Sequence, residues 1–358
     1  MDTLDTVERP DTRDTQNESS PIEVIKVTPR GYCYGVVDAM QIARNAAKDP
    51  TLPRPIYVIG QIVHNRFAVD DLTRMGVITL DGPDRAAILE QVTEGTAIFT
   101  AHGVSPLVKQ RARERGLHVI DATCPDVTKT HSLVKDYVAR GYEVIYIGKK
   151  GHPEPEGVIG EAPGHVYLVE TAADVDALPS AVLENPRLMV TNQTTLSQWD
   201  TADLIAYIRQ RAPQVEVNNE ICHATQERQS AVARMAIGAD LTIVVGDPRS
   251  NNTNRLVQVA EEKAGSPAVR IESLDDLTPE MLAGKRRVAI TAGASTPSQL
   301  TREVIRYVES FGAKTRVFQA SSDSTPGTTK ATQSTEAAKI AHTAHITKSA
   351  ETNQANDR

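Results

Sequence analysis

Three cysteines stand far apart in a chain of 358 residues, Cys33, Cys124 and Cys222, at intervals of 91 and 98. Each comes just before a stretch with helical periodicity: GVVDAMQIARNAAK, DVTKTHSLVKDYVARG and ATQERQSAVARMAIG. A thiol at a helix N-terminus has a lowered pKa and makes a good metal ligand. A lone cysteine of this kind is more often a small buried hydrophobe, so the weight lies on the set. Three remote thiols could hold zinc with one position open, although zinc sites often draw on close CxxC or HxxxH pairs, and neither occurs here. Around an iron–sulfur cube they would leave one iron without a protein ligand, free to act as a Lewis acid while the cluster passes electrons.

Other residues suggest what such a centre would act on. His64, His102 and His152 all fall in loops after apolar runs, beside glycine or asparagine. A histidine placed at random is usually a surface or satisfied core residue; the shared placement of these three sets them apart. With Ser250, Asn252, Ser295 and the backbone N–H groups of helix starts, they form a donor set able to hold a phosphate or diphosphate. No GxxxxGK[ST] or GxGxxG occurs, which disfavours a nucleotide. In GHPEPEG, Glu154 is a carboxyl able to relay protons if partly desolvated, or simply a first-turn acid complementing a helix dipole. The NQTTLS stretch equally suits a cap for a helix starting near Ser197.

Around these residues, short β-branched runs alternate with helix-length amphipathic segments. The runs are IEVIKV (22–27), IYVI (56–59), AIFT (97–100), LHVI (117–120), EVIYIG (143–148), VYLV (166–169), LMVT (188–191), LTIVVG (241–246) and VAIT (288–291). The pattern is that of α/β units with mostly parallel sheets, whose ligands gather at the carboxyl ends of strands. The intervals between cysteines carry comparable loops: GQIVHNR and TAHGVS, GKKGHPEPEG and TNQTTLS, VVGDPRSNNTNR and TAGAST. Three similar units facing one centre are therefore expected.

Composition sets the class. With 40% hydrophobic and 24% charged residues, the chain can bury substantial cores. A net charge of −7 argues against nucleic acid or an anionic membrane as partner. No apolar stretch reaches the roughly 20 residues of a membrane span. The first 21 residues carry six acids and two arginines with no apolar core, which does not read as a secretory signal or a transit peptide. An odd number of cysteines without an export signal points to reduced thiols and a cytoplasmic setting. Residues 1–21 and 320–358 are rich in Thr, Ser, Asp, Ala and Gln and are expected to be disordered tails.

The motifs PRGYCYGV, VHNR, AHGVS, DATCPDVTK, GHPEPEG, QTTLS, ICHATQERQ, SNNTNRL and TAGAS, in this order over about residues 22–311, resemble the 4-hydroxy-3-methylbut-2-enyl diphosphate reductase family. The resemblance implies a pseudo-threefold trefoil of α/β domains around a [4Fe–4S] cluster: 35–123, 124–220, and 22–34 joined to 221–319. It implies reductive removal of the substrate hydroxyl to give isopentenyl and dimethylallyl diphosphates, with electrons from an external ferredoxin or flavodoxin, since no flavin or nicotinamide fingerprint is present. Carried over by motif, Cys33, Cys124 and Cys222 would ligate the cluster. His64, His102, His152, Ser250, Asn252 and Ser295 would hold the diphosphate, and Glu154 would relay protons. Thr194 and Thr195 lie on the motif that positions the substrate hydroxyl, Thr195 the more directly, and Thr225 matches another pocket position. The family often has two serines before this asparagine; here Asn251 stands in the second place, an amide still able to donate to phosphate. On the residues alone, a non-redox iron–sulfur hydro-lyase and a cluster- or zinc-binding sensor module are the alternatives.

Overall fold

The computed structural model describes residues 21–322, and in them the β-branched runs are strands and the amphipathic stretches helices. The chain opens with β1 (Glu23–Lys26) and α1 (Tyr34–Lys48). It continues through β2 (Ile56–Ile59), α2 (Arg66–Arg74), β3 (Val77–Leu80), α3 (Arg85–Glu90), β4 (Thr96–Phe99), α4 (Pro106–Glu114) and β5 (His118–Asp121). Next come α5 (Pro125–Ala139), β6 (Glu143–Ile147), α6 (Pro153–Ile159), β7 (Val166–Val169), α7 (Ala172–Asp176), α8 (Ser180–Leu183), β8 (Leu188–Asn192), α9 (Gln198–Arg211) and β9 (Glu216–Val217). The last stretch holds α10 (His223–Met235), β10 (Leu241–Val245), α11 (Asn251–Glu262), β11 (Ala268–Ile271), α12 (Pro279–Leu282), β12 (Arg287–Ala292) and α13 (Ser298–Ser322).

The strands form three four-stranded sheets, ordered β3-β2-β4-β5, β7-β6-β8-β9 and β11-β10-β12-β1, and every pairing is parallel. Reading along the chain, each sheet has the order second, first, third, fourth. The N-terminal strand β1 supplies the fourth place of the third sheet, Glu23 facing Arg287 and Lys26 facing Ile290. The result is three α/β units of one topology.

Two-residue alternation sends successive side chains to opposite faces, so each sheet seeds two cores. In the first sheet Ile56, Val58 and Ile98 join one cluster, and Ile59, Ala97 and Phe99 the other. The second sheet divides Ile145, Ile147 and Val190 from Val144, Tyr146 and Met189. The third divides Ile243, Val245 and Ile290 from Val244 and Ala289. Central strands β8 and β10 are buried at every position, whereas the edge strands β1 and β5 are exposed at both ends. No described helix is long and apolar enough to cross a membrane. Helix α13 runs to Ser322, three residues into the segment expected as a tail, and the rest of both expected tails lies outside the described residues.

Candidate active site

In each sheet the order reverses between the first and third strands. Open α/β sheets form a crevice at that place, beyond the strands' carboxyl ends. The loops leaving β2, β6 and β10 carry His64, then His152 and Glu154, then Ser250 to Asn252. Those leaving β4, β8 and β12 carry His102, then Thr194 and Thr195, then Ser295. The fourth strands β5, β9 and β1 lead to Cys124, Cys222 and Cys33. All of these residues line one cavity, together with Gly35, Asp126 and several apolar side chains. Thr225 is the one sequence-predicted residue outside the lining: its hydroxyl lies 3.1 Å from Cys222 Sγ, because the third residue of α10 turns back over the helix start.

The three cysteines share one backbone arrangement. Each is the N-cap residue of its helix, α1, α5 or α10, and none caps with its side chain. Each backbone N–H donates to a carbonyl two residues beyond the third strand: Cys33 to Ala294, Cys124 to Ala101 and Cys222 to Thr194, all at 3.0 Å. The loops after third and fourth strands are thereby tied together, with the sulfurs toward the cavity. All three are free thiols. Contrary to the expectation of lowered pKa values, burial pushes Cys124 up to about 12 and Cys222 up to about 11, outweighing the N–H groups of the helix starts. Buried sulfurs of this kind become ligands when a cationic centre replaces their protons. A β-carbon on Gly35 would stand 2.4 Å from Cys124 Sγ, so glycine leaves the space into which that sulfur projects. A sulfur-lined hollow kept open in this way fits an iron–sulfur cluster.

The histidines pack as a triad, with ring centroids 4.5 Å apart for His64 and His102, 5.2 Å for His64 and His152, and 5.3 Å for His102 and His152. Burial drives His64 down to about 4 and holds His102 and His152 well below the usual imidazole range, which favours the neutral form of all three. His152 caps α6, its Nδ1 accepting from the Glu154 N–H at 3.2 Å, which leaves its proton on Nε2. Among the described residues, neither ring nitrogen of His64 and neither amide atom of Asn252 has a hydrogen-bond partner. Ser295 donates to the His64 carbonyl at 2.9 Å and lies 3.5 Å from the Ser250 hydroxyl. The triad nitrogens lie within 4.8 Å of one another, near enough for a single metal ion. Neighbouring hydroxyl and amide donors instead suit an anion with several oxygens. Orphaned buried polar atoms are costly unless a ligand meets them.

Glu154 is 1% exposed, in the first turn of α6. Burial raises its carboxyl to about 7, against hydrogen bonds from Thr194: the backbone N–H at 2.7 Å and the hydroxyl at 3.1 Å. Among the described residues no hydrogen bond joins Glu154 to Thr195. Thr195 faces the cavity, where Gln193 Nε2 and Asn251 Nδ2 donate to its hydroxyl at 3.3 Å. Asn251 also donates to the Thr195 carbonyl at 2.9 Å, so the amide in the place of the usual serine braces the loop of the second unit. Ser197 caps α9 by accepting from Asp200 N–H, as its place in NQTTLS predicts.

Sequence reading missed several buried polar residues. Tyr146, fully buried in β6, lies near Glu154 without an ordinary hydrogen bond, and burial raises its hydroxyl well above the usual range. Arg228 in α10 donates to the carbonyls of Ala224 at 2.9 Å and Gly31 at 2.8 Å, joining the helix of Cys222 to the loop before Cys33. Asp126 lines the cavity and accepts from the Tyr34 hydroxyl. Only the seven-residue spacing of Gln229 and Cys222 in ICHATQERQ hinted that this helix turns a polar face inward.

Comparison with known proteins agrees with this geometry. Residues 24–309 match the family model described as LytB protein. The chain is 62% identical over 293 residues to the 4-hydroxy-3-methylbut-2-enyl diphosphate reductase of Symbiobacterium thermophilum, covering 82% of this chain and 99% of that one. It is 61% identical over 290 residues to the enzyme of the same name from Geobacillus thermodenitrificans, covering 81% and 91%. Among solved structures, the E-1-hydroxy-2-methyl-but-2-enyl-4-diphosphate reductase of Plasmodium falciparum superposes with a TM-score of 0.74 at 33% identity, covering 80% of this chain and 88% of that one. A second structure, described as the terminal enzyme of the non-mevalonate pathway, gives 0.58 at 32% identity over 83% and 99%. The chain therefore belongs to the LytB protein family, that of the 4-hydroxy-3-methylbut-2-enyl diphosphate reductases, and is an oxidoreductase.

Proposed function

We propose that the chain reduces (E)-4-hydroxy-3-methylbut-2-enyl diphosphate to isopentenyl diphosphate and dimethylallyl diphosphate. In this reaction two electrons and two protons are taken up and the substrate hydroxyl leaves as water. Cys33, Cys124 and Cys222 would hold a [4Fe–4S] cluster, which when bound supplies a Lewis-acidic iron and the path for single electrons. An external ferredoxin- or flavodoxin-type protein delivers the electrons, in the cytoplasm. Of the three units, taken as 35–123, 124–220 and 22–34 with 221–319, the second gives Cys124 and the third Cys33 and Cys222, while each gives one set of polar donors. The reading is carried by one observation: three thiols, a carboxyl with its pKa near neutrality and a set of unpartnered buried donors meet in a single cavity.

The chain's own residues divide the work. His64, His102, His152, Ser250, Asn252 and Ser295 anchor the diphosphate end and fix how far the carbon chain reaches toward the sulfurs. Asn251 braces the loop that offers Thr195 to the substrate hydroxyl. Glu154, which burial leaves about half protonated at neutral pH, gives a proton toward the departing oxygen, with Thr194 holding the carboxyl in place. The protein walls keep water from the reacting carbons. Thr225 supports Cys222 rather than touching substrate.

The test is an anaerobic assay of purified protein with this substrate and a low-potential reductant, together with iron and sulfide analysis. Both products and about four irons per chain are expected. Turnover without reductant would replace the reading by a non-redox hydro-lyase. Bound cluster or zinc with no turnover under any condition would leave a sensor module.

A further inference from the structure

Among the described residues the cavity is lined by Asp126, Glu154 and three cysteines, but by no lysine or arginine. A diphosphate carries several negative charges, and hydrogen-bond donors alone do not offset them in a buried pocket. A positive group held close by would. Arg85, the first residue of α3, is 7% exposed, and no carboxylate among the described residues forms an ion pair with its guanidinium. Its Nε is buried without a partner. Its backbone N–H donates to Glu156 Oε1 of α6 at 2.9 Å, fixing it at the seam between the first and second units. The guanidinium lies on Gly60, where β2 passes into the loop of His64: a β-carbon there would stand 2.4 Å from Nη1 and 2.5 Å from Cζ. Gly60 has φ of +90°, so the sequence supplies the residue that both the backbone and the arginine require.

The position places its charge within range of all three histidines, each of which it disfavours from protonating. Glu156, Asp81 and Asp84 favour the charged guanidinium, although none of them forms an ion pair with it. Other cations near the triad are already engaged or exposed: Arg249 pairs with Asp247 at 3.0 Å, and Lys149 faces solvent. A buried cation without an ion-pair partner among the described residues, set behind neutral donors that also lack partners, is the arrangement of a site that takes an anion.

We propose that Arg85 is a positioning and specificity residue for the substrate's diphosphate, a fixed positive charge behind His64, His102 and His152 that makes the pocket select diphosphates over monophosphates. It acts through the loop and the histidines, outside the cavity lining. The proposal rests on the diphosphate-pocket reading above.

The test compares the wild-type holoenzyme with Arg85→Lys and Arg85→Met, titrating inorganic diphosphate and inorganic phosphate by calorimetry at two ionic strengths and recording the melting temperature. Arg85→Met should weaken diphosphate binding on the order of ten-fold, with a smaller loss for phosphate, because Coulomb attraction grows with ligand charge. Arg85→Lys should recover most of it, and Arg85→Met should melt no lower than wild type. Equal losses for both anions with a lowered melting temperature would make Arg85 a structural latch and overturn the proposal. So would unchanged diphosphate binding in Arg85→Met while wild type binds. A wild-type protein that binds no diphosphate would instead overturn the pocket reading itself.

Discussion

Glu154 is the residue whose environment most directly sets chemistry. An ordinary glutamate has long lost its proton at pH 7; here burial lifts the carboxyl from 4.5 to about 7, so a proton is available where the substrate hydroxyl would sit. Glu154→Gln should keep the iron content and lose about 100-fold or more in kcat, measured with dithionite-type reductant. Thr194→Val removes the hydroxyl bond that favours the carboxylate, so the alkaline fall of kcat, expected as pH rises through about 7 in wild type, should move to higher pH. Stability carries the same signature. A carboxyl with a raised folded pKa contributes its stability below its unfolded value of 4.5 and loses it as pH rises through about 7. Glu154→Gln lacks that loss, so its stability relative to wild type in urea unfolding should grow by on the order of 3 kcal/mol between pH 4 and 8. A difference that stays flat with pH would mean that the carboxyl is not desolvated. At this scale the sequence already named the cysteines, histidines and Glu154 that the structure gathers around one cavity. It hid Arg85 and Tyr146, because an arginine after the helix-capping Asp84 reads as surface, and a tyrosine in a strand reads as core.

Among elements, the helix starts govern. Each cysteine begins a helix whose preceding strand lies at a sheet edge, and each is tied by its N–H to the neighbouring loop at 3.0 Å. That geometry needs room for sulfur, and Gly35 provides it for Cys124. Gly35→Ala is the informative change. In an ordinary helix it would stabilise by about 0.5–1 kcal/mol, and here φ is not in the left-handed region. The apo chain should therefore melt no lower than wild type while iron retention after anaerobic reconstitution falls severalfold; full retention would remove Gly35 from the cradle. The strands were legible wherever β-branched residues ran together, and β2, β7 and the central strands fall within a residue or two of their expected bounds. Three strands were not singled out: β3 follows Gly76 at once, β9 has two residues, and β11 contains Arg270. All three are edge strands, whose burial is too partial to impose an apolar run. Their positions came from pairing, which local sequence does not encode.

For the whole molecule, the site exists only where the units meet, and the seams are joined by hydrogen bonds at the same loops that line it. Arg66 N–H reaches Asp247 at 3.1 Å and Ser295 reaches the His64 carbonyl, linking the first and third units. Asn251 reaches Thr195 from the third unit to the second, and Gln229 bonds both Gln198 N–H at 3.0 Å and the Leu196 carbonyl at 2.8 Å. Glu156 reaches Arg85 between the second and first units. The cysteine intervals already suggested threefold repetition, and the family resemblance joined residues 22–34 to the last unit, but the shared strand order appears only once long-range pairings exist. A ligand bound across these seams stabilises every unit it touches, since unfolding any one of them destroys the pocket. Inorganic diphosphate at 100 times its Kd should add about 2.7 kcal/mol to unfolding. Scanning calorimetry should then show the main transition of the cluster-loaded protein moving upward by several degrees as a single event. If melting splits into separate transitions and only one responds to diphosphate, the donors of the three units do not act on a common ligand, and the trefoil is a scaffold for one unit's site alone.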